Sequence, residues 1–400
     1  MNVTLKKVDL KGNIYAPTSK SYTHRYLIAS MLSINSSTIK KVNYSNDILA
    51  TLNCLASFGC NYKINNDNVT ILSNTNYSDC PVFDCNESGS TLRFFVPIAL
   101  SKYNKVIFKG TKRLLERGID GYENIFKKQD IKVIKEDNKL YLEGNLKPGE
   151  FVIDGSVSSQ YITGLLFTLP LLNGNSVIKI IPPLNSKNYV DITLDILSKY
   201  SIDYKFDGFN IYINGNQKYI ALDYEVEADF SNAAFLCAFN YFNNNINVLN
   251  INNNSLQGDK VFIEFFKKLD EGYCVLDISN CIDLGPVLMT FAALKHGAKF
   301  IGCKRLKVKE SDRANAIASE LKKVNVDIKV YDDEVIVNKS NIINNNVVFD
   351  SHNDHRIVMS LSLISTLFDI KINDVDAVKK SYPHYFEDLI KLGAEVIYED

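Results

Sequence analysis

The sequence predicts an α/β protein of two similar domains, each built from three βαβαββ repeats that bury parallel helices. Three observations predict it. The chain has 400 residues, which is long for a single hydrophobic core. Six mostly apolar segments recur along it, roughly 70 residues apart in four of the five intervals. An amphipathic helix follows each segment, and an alternating strand hairpin follows most of them.

Each repeat opens with a short polar or glycine-containing turn and continues as an apolar helix. The six segments start at residues 19, 88, 158, 231, 284 and 354 and read SKSYTHRYLIASML, SGSTLRFFVPIAL, SSQYITGLLFTLPLL, SNAAFLCAFNYF, LGPVLMTFAAL and DHRIVMSLSLI. Because these helices are apolar nearly all round, we expect them to be buried.

The second helix of each repeat has apolar residues spaced by three and four, as in VDITLDILSKYS and GDKVFIEFFKKLD. Alternating strands follow, with Asn, Asp or Asp-Gly turns that favour tight hairpins, as in IKVIKEDNKLYLEG. The fourth copy is blurred at GYCVLDIS, and the sixth stops at AEVIYED. The chain therefore reads as six βαβαββ units, three to a domain.

Helices bundled in parallel aim their N-termini at one place. Unpaired backbone N–H groups and helix dipoles there favour anions. The first repeat adds Lys20, Ser21, Thr23 and Arg25 at its helix start, which is more than capping needs. We expect the polar starts of all six repeats to line one anion-binding cleft between the two domains.

The arginines follow the same pattern. Only seven occur among 45 basic residues, and each offers a planar fork for carboxylate or phosphate that lysine cannot copy. Three stand at or just inside first-helix starts, two at second-helix starts and two in the loops just before: Arg25, Arg93 and Arg356; Arg117 and Arg313; Arg113 and Arg305.

Composition excludes several other classes. The formal net charge of −1 does not favour nucleic-acid binding. The eight scattered cysteines form no CxxC pair, and the start MNVTLKKVDLKGN lacks the apolar region of a secretory leader, so we expect reduced thiols in a cytoplasmic protein. The longest apolar run, YITGLLFTLPLL, is too short to span a bilayer. His352 and His355 have a spacing open to a metal but no acidic partner motif, so we expect His355 to orient Asp354 or Arg356.

Carboxylates occur inside the expected anion site. Asp283 stands at a first-helix start, and Glu310 lies between Lys309 and Arg313. A pure binder of anions should avoid such acids because like charges repel the ligand. Acids in a cationic site suit proton transfer. Lys20 is a further acid/base candidate, since neighbouring cations can lower the pKa of a lysine.

Eight motifs, SKSYTHR, ESGSTLR, DGSVSSQ, KNYVDIT, IDLGP, KESDR, NDHR and KKSYP, occur in this order over nearly the whole chain. In this set the chain resembles the 5-enolpyruvylshikimate-3-phosphate (EPSP) synthases, or 3-phosphoshikimate 1-carboxyvinyltransferases, a family of enolpyruvyl transferases. The resemblance implies two inside-out α/β domains of three repeats each. Residues 1–18 plus 227–400 would form one domain and residues 19–226 the other, with the active site in the cleft between them.

The activity implied by the resemblance is transfer of the enolpyruvyl group of phosphoenolpyruvate to the 5-hydroxyl of shikimate 3-phosphate, with release of phosphate. The reaction proceeds by addition and elimination through a tetrahedral intermediate and uses no metal or cofactor. It belongs to the shikimate pathway, which leads to chorismate and the aromatic amino acids. We further expect a cytoplasmic monomer whose partners are its two small substrates, with no nucleic acid or membrane.

The site residues implied by the resemblance fall into three groups. Catalysis would involve Asp283, Glu310 and Lys20, with the division of proton transfers among them left open. Shikimate 3-phosphate would contact Lys20, Ser21, Arg25, Ser158, Ser159, Gln160, Ser186, Tyr189, Asp283 and Lys309. Phosphoenolpyruvate would contact Lys20, Gly89, Arg117, Gln160, Arg313, Arg356 and Lys380, with Arg93 in support.

Some positions depart from better-known members, which carry an amide at Glu87, Asn at Arg305 and Pro at Asn188. Two alternatives remain open at this point. The sister enzyme that loads enolpyruvyl onto UDP-N-acetylglucosamine typically has a cysteine in a mobile active-site loop, whereas FKGTKRLLERGID has none. A non-catalytic binder of phosphorylated ligands would not need Asp283 and Glu310, and both are present.

Overall fold

A computed structural model describes residues 1–74 and 79–399 of the chain. It divides the chain into two compact units. The composite unit joins Met1–Pro17 to Glu227–Asp400, and the continuous unit is Thr18–Val226. The sequence prediction placed the first boundary between residues 18 and 19 and the second between residues 226 and 227.

The β-strands of the described residues are β1 (Asn2–Leu5), β2 (Lys11–Ile14), β3 (Ser37–Lys40), β4 (Cys60–Asn65), β5 (Asn68–Asn74), β6 (Val82–Asp84), β7 (Lys105–Lys109), β8 (Lys132–Glu136), β9 (Lys139–Glu143), β10 (Glu150–Asp154), β11 (Ser176–Ile181), β12 (Tyr204–Phe206), β13 (Asn210–Ile213), β14 (Tyr224–Glu225), β15 (Asn245–Val248), β16 (Cys274–Asp277), β17 (Ala298–Ile301), β18 (Ile328–Val330), β19 (Glu334–Val337), β20 (Val348–Asp350), β21 (Ile370–Asn373) and β22 (Val396–Glu399).

The α-helices are α1 (Lys20–Leu32), α2 (Asn46–Ser57), α3 (Gly89–Leu100), α4 (Lys112–Arg117), α5 (Glu123–Lys128), α6 (Ser159–Thr168), α7 (Lys187–Lys199), α8 (Phe230–Ala238), α9 (Phe262–Glu271), α10 (Gly285–Leu294), α11 (Arg313–Lys322), α12 (His355–Ser362) and α13 (Tyr385–Lys391). Short 3₁₀ turns extend several of them, including Ile282–Leu284 before α10 and Val375–Lys380 after β21.

The continuous unit contains three four-stranded sheets with one common plan. Their strand orders are β14-β3-β5-β4, β6-β7-β9-β8 and β10-β11-β13-β12. In each, the first two strands pair in parallel and the remaining pairs are antiparallel. A parallel pair needs a crossover connection, which the buried first helix supplies between β6 and β7 and between β10 and β11. β14 instead returns from the end of the unit to pair with β3. The last two strands of each sheet form a hairpin.

Two sheets of the composite unit repeat this plan, with orders β16-β17-β19-β18 and β20-β21-β1-β22. The repeat that ends the chain is completed by β1 from its start, which pairs antiparallel with both β21 and β22. The blurred fourth copy forms only a two-stranded parallel sheet of β15 and β2.

The first helix of each repeat is buried, as predicted. In the continuous unit nearly every residue of α1, α3 and α6 is buried, and α3 packs on α6. The same holds for α8, α10 and α12 in the composite unit. The second helices are amphipathic; α9 buries Phe262, Phe265, Phe266 and Leu269, which are spaced by three and four.

Caps fix where the first helices begin. In the continuous unit the N-caps are Ser19, Ser88 and Ser158, and each Oγ accepts a backbone N–H of the first turn. In the composite unit Asp229 and Asp354 cap α8 and α12. Asp283 lies in the 3₁₀ turn that leads into α10. Through residues 1–74 and 79–399, none of the helices has the length and apolar character needed to cross a membrane.

Candidate active site

The predicted site residues form two sets, one in each unit. The serine set belongs to the continuous unit and comprises Lys20, Ser21, Arg25, Gly89, Arg93, Arg117, Ser158, Ser159, Gln160, Ser186 and Tyr189. The carboxylate set belongs to the composite unit and comprises Asp283, Lys309, Glu310, Arg313, Arg356 and Lys380, to which the structure adds Asp354.

Arg25 in the serine set is a buried cation whose recorded partners are neutral. Its Nε donates to Thr193 Oγ1 at 2.8 Å, and its Nη2 donates to Thr163 Oγ1 and the Tyr189 carbonyl, each at 3.2 Å. Its Nη1 donates to the Ser21 carbonyl at 2.8 Å. Burial lowers the pKa of Arg25 to about 10. A buried guanidinium held by neutral dipoles favours an anionic ligand.

Lys20 differs from Arg25 because it has a counter-ion. Its Nζ lies 2.7 Å from Asp47 Oδ2, and both side chains are mostly buried. Asp47 stands in the first turn of α2. Sequence reasoning missed this acid, although it is the last residue of the polar segment YSND at the start of the second helix.

Gly89 lies close to the Arg117 guanidinium. A Cβ at residue 89 would stand 2.9 Å from Arg117 Nη2 and 3.3 Å from its Cζ. Gly89 also begins α3 directly after its cap Ser88, where backbone N–H groups are unpaired by the helix. A guanidinium above such a helix start makes a compact anion-binding corner.

Arg93 ties this corner to Gln160. Its Nη1 donates to Gln160 Oε1 at 2.6 Å, and its Nη2 donates to the Arg117 carbonyl at 2.9 Å. Gln160 Nε2 in turn donates to Ser90 Oγ at 2.9 Å. Burial lowers the pKa of Arg93, and the nearby Arg117 adds to that lowering. Arg93 therefore orients Gln160 and the backbone at Arg117.

The remaining members of the serine set lie at two further helix starts. Ser158 caps α6 through an N–H···O bond from Gln160, and the next residue, Ser159, is buried. Ser186 precedes α7 in the left-handed region at φ 56°, and Tyr189 is in the first turn of that helix. Hydroxyls at helix starts are ready donors to a phosphate.

Arg313 is the hub of the carboxylate set. Its side chain is 1% exposed and contacts three acids: Nη1 lies 2.6 Å from Asp283 Oδ1, Nη2 lies 2.6 Å from Glu310 Oε2, and Nε lies 2.8 Å from Asp354 Oδ2. These acids raise the pKa of Arg313 despite its burial. The sequence prediction gave Arg313 to a substrate carboxylate, and here its nitrogens are engaged by the protein.

Arg356 is the second fork of the set and is differently placed. It is 5% exposed, and within the described part of the chain its Nε and Nη1 have no hydrogen-bond partner. Its Nη2 lies 3.7 Å from Asp283 Oδ2. Leaving buried donors unsatisfied is costly, so these two nitrogens point to an acceptor supplied by a ligand.

Asp283 is held ionised. Burial alone would raise its pKa, but Lys309, Arg356 and Arg313 together hold the pKa of Asp283 well below its usual range. Lys309 Nζ lies 3.1 Å from Asp283 Oδ1. Burial lowers the pKa of Lys309 to about 8, and Arg313 and Arg305 act in the same direction. A proton on Lys309 and a charge on Asp283 are thus coupled.

Lys380 is buried at the end of the 3₁₀ turn Val375–Lys380 and donates to the Asn353 carbonyl at 2.5 Å. Asn353 precedes Asp354, the acid that sequence reasoning left out of the site. The NDHR motif signals Asp354 as a helix cap, but its partner Arg313 is 41 residues away along the chain, so only the fold joins them.

The metal alternative gains no ligand set. His352 Nε2 lies 2.9 Å from Glu320 Oε1, and His355 Nδ1 lies 3.7 Å from Asp354 Oδ1. Across residues 1–74 and 79–399, no group of three or more His, Cys, Asp or Glu side chains is placed to hold a metal ion.

The chain is similar to proteins of one family. The family model for EPSP synthase (3-phosphoshikimate 1-carboxyvinyltransferase) matches residues 5–389. A 3-phosphoshikimate 1-carboxyvinyltransferase of Clostridium perfringens is 42% identical, with 98% of each chain covered. One of Clostridium novyi is 38% identical, covering 98% of this chain and 97% of the relative.

Solved structures agree on the fold. An EPSP synthase structure from Acinetobacter baumannii superposes with a TM-score of 0.80 at 19% identity and covers 100% of both chains. This likeness confirms the predicted fold class of two inside-out α/β domains. The match of the family model over nearly the whole chain, together with the identity to the clostridial enzymes, decides the family: the chain belongs to the EPSP synthases.

Proposed function

We propose that this protein is a transferase of the shikimate pathway that moves the enolpyruvyl group of phosphoenolpyruvate to the 5-hydroxyl of shikimate 3-phosphate and releases phosphate. Its family and its relatives' names support this activity. One observation about the site carries the chemistry. Asp283 and Glu310 share the buried Arg313, while the neighbouring Arg356 keeps two buried donors for a ligand carboxylate.

The serine set is suited to bind the phosphate groups of both substrates. We assign Ser158, Ser159 and Ser186 to the phosphate of shikimate 3-phosphate. Arg25, Ser21 and Tyr189 complete that side of the substrate, with Lys309 from the carboxylate set. Gly89, Arg117 and Lys380 receive the phosphate of phosphoenolpyruvate, and Gln160 contacts both substrates. The buried charge of Arg25, which has neutral partners, supports this assignment.

Arg356 and Arg313 receive the phosphoenolpyruvate carboxylate in this proposal. Arg356 can donate to it directly through Nε and Nη1, whereas Arg313 must share nitrogens that now donate to Asp283 and Glu310. A substrate carboxylate would then compete with Asp283 for both arginines. Since these cations hold the pKa of Asp283 down, substrate binding would raise it and make Asp283 a better base.

The proton transfers follow from these positions. In the addition step, Asp283 takes the proton of the 5-hydroxyl. The hydroxyl oxygen bonds to C2 of phosphoenolpyruvate, and C3 gains a proton. In the elimination step, C3 returns a proton as the bond from C2 to the phosphate oxygen breaks. We assign the two transfers at C3 to Glu310 and Lys20, whose ion pairs with Arg313 and Asp47 fix them in place. Nearby carboxylates stabilise the oxocarbenium-like centre at C2.

The reaction needs no cofactor, since protonation activates the enol. We retain a monomer working in the cytoplasm as part of the proposal. The nucleotide-sugar alternative is not favoured by the family match. The segment around α4, FKGTKRLLERGID, also lacks the cysteine typical of that sister enzyme.

The test is phosphate release from phosphoenolpyruvate, with shikimate 3-phosphate and UDP-N-acetylglucosamine supplied separately as acceptors. We expect turnover with the shikimate ester alone. Turnover with the nucleotide sugar alone would move the protein to the sister activity. Tight binding of shikimate 3-phosphate without phosphate release would leave a binding protein.

A further inference from the structure

Glu320 is a buried acid that the proposed chemistry does not use. It is 2% exposed and stands on α11, seven residues after Arg313. Seven residues make nearly two helical turns, so both side chains lie on the same face of the helix. This face contacts the segment 350–354 at two points.

Arg313 makes the first contact, through the Asp354 carboxylate. Glu320 makes the second: its Oε2 accepts the Asp350 backbone N–H at 2.8 Å, and its Oε1 lies 2.9 Å from His352 Nε2. Lys323 Nζ donates to the same carboxylate at 2.6 Å. A buried carboxylate with several donors fixes its partners in space.

The segment held this way has an unusual backbone. His352 and Asn353 both adopt left-handed conformations, with φ values of 49° and 51°. Non-glycine residues occupy this region at a cost and stay there when surrounding contacts hold them. The Asp350 side chain accepts the His352 N–H at 2.5 Å, and Ser351 Oγ accepts the Asn353 N–H at 3.0 Å.

The left-handed turn directs two groups toward the carboxylate set. The carbonyl of Asn353 accepts from Lys380 Nζ, and Asp354 accepts from Arg313 Nε at 2.8 Å. Arg356 follows two residues later in the first turn of α12. Lys380, Arg313 and Arg356 are the cations proposed to bind phosphoenolpyruvate.

We propose that Glu320 and His352 are positioning residues for phosphoenolpyruvate: their pair holds the turn 351–354 so that Lys380, Arg313 and Arg356 present their nitrogens to one ligand. This inference rests on the proposed function. His352 is proposed to act through the backbone that it holds and not by direct contact with the three cations.

The test compares two substitutions at His352 with a matched surface control. His352→Asn keeps a residue that tolerates a left-handed φ but is too short to reach Glu320, whereas His352→Gln retains a side-chain N–H of similar reach. His384→Asn is the control, because His384 is exposed and lies 3.7 Å from an acid, Glu387. Each variant is assayed for kcat and for both KM values, and its Tm is measured.

We expect His352→Asn to raise the KM for phosphoenolpyruvate by ~10-fold, the worth of a charge-assisted hydrogen bond, with the KM for shikimate 3-phosphate nearly unchanged. His352→Gln should recover most of the loss, and His384→Asn should behave as wild type. Hydrogen exchange of the peptide spanning 350–356 should accelerate in His352→Asn.

Unchanged KM values and exchange in His352→Asn would overturn the inference. So would equal rises in both KM values with a lowered Tm, because that pattern marks a general loss of structure. A wild-type protein without turnover on either acceptor would instead reject the proposed function, and this inference would fall with it.

Discussion

The helix starts of the two units are built on one plan but carry different chemistry. In the continuous unit three serines cap the buried first helices. In the composite unit the matching positions hold Asp229, Asp283 and Asp354. Serine caps satisfy the helix without adding charge, and the nearby Arg25 donates to neutral hydroxyl and carbonyl groups.

Two of these aspartates, Asp283 and Asp354, form ion pairs with cations. Arg313 gathers three carboxylates, and Lys309 contacts Asp283. If the proposed site roles hold, one repeat architecture supplies an anion-binding surface where its helix starts carry serine and a proton-transfer centre where they carry aspartate.

The largest effect is expected at Asp283. Asp283→Asn keeps the shape of the side chain and removes the base, so kcat should fall by ~10²–10⁴-fold. Ser158→Ala, the matching change in the serine set, should raise the KM for shikimate 3-phosphate by ~10-fold and leave kcat nearly unchanged. Steady-state kinetics with both substrates varied measures both variants. The division fails when the two variants lose the same parameter.

Arg356→Lys should have the next largest effect on the kinetics. The substitution keeps the charge but removes the planar fork, so the KM for phosphoenolpyruvate should rise by ~10–100-fold. Arg113→Lys is the control, because Arg113 is exposed and its Nη1 lies 3.9 Å from Glu116 Oε2. An unchanged KM in Arg356→Lys would show that its buried Nε and Nη1 do not meet the substrate.

Gly89→Ala should raise the KM for phosphoenolpyruvate by a smaller factor. The added Cβ would meet Arg117 Nη2 at 2.9 Å, and the flexible guanidinium must shift by a few tenths of an ångström. We expect the KM for phosphoenolpyruvate to rise by ~10-fold, with the KM for shikimate 3-phosphate unchanged. Gly272→Ala, where a Cβ meets nothing within 4 Å, serves as the control in the same assay. A rise in the KM for the shikimate ester instead would reassign this corner.

Lys309 predicts a pH dependence. Its pKa is about 8, and the protonated form should bind shikimate 3-phosphate. The kcat/KM for that substrate should therefore fall as pH rises through about 8. The charged groups that face Lys309 are Asp283, Glu310, Arg305 and Arg313. Lys309→Arg should remove this fall, since arginine stays charged. A wild-type profile that is flat between pH 7 and 9 would contradict the assignment.

The last prediction concerns stability at Asp259, where the effect on activity should be the smallest. Asp259 is a buried acid that accepts a hydrogen bond from Ser231 Oγ. Burial, with Asp283 nearby, raises the pKa of Asp259 to about 6. A raised folded-state pKa means that this acid supports stability below its unfolded pKa and loses that support as pH rises through about 6. Asp259→Asn should thus raise Tm more at pH 8 than at pH 5, which calorimetry can measure; a larger gain at pH 5 would reverse the sign.

Much of this site follows from local sequence. The polar helix starts and the placement of the arginines are short-range patterns, and they predicted an anion-binding site with acids inside it. The individual serine, glutamine, tyrosine and Lys380 contacts were implied by the resemblance to the family's motifs. The pairing of charges did not follow. Lys20 and Asp47 are 27 residues apart and Arg313 and Asp354 are 41 apart, so helix packing decides which acid meets which cation. That is why Arg313 was predicted to bind a substrate carboxylate, whereas its ion pairs with Asp283, Glu310 and Asp354 were not predicted.

The most direct test of the division between binding and proton transfer is deuterium entry at C3 of phosphoenolpyruvate in heavy water with shikimate 3-phosphate present. Wild type and Ser158→Ala, at saturating substrate, should incorporate deuterium at similar rates, and Glu310→Gln should lose most of this exchange. Wild-type exchange in Glu310→Gln, with its loss in Ser158→Ala, would place proton transfer in the serine set and contradict the account.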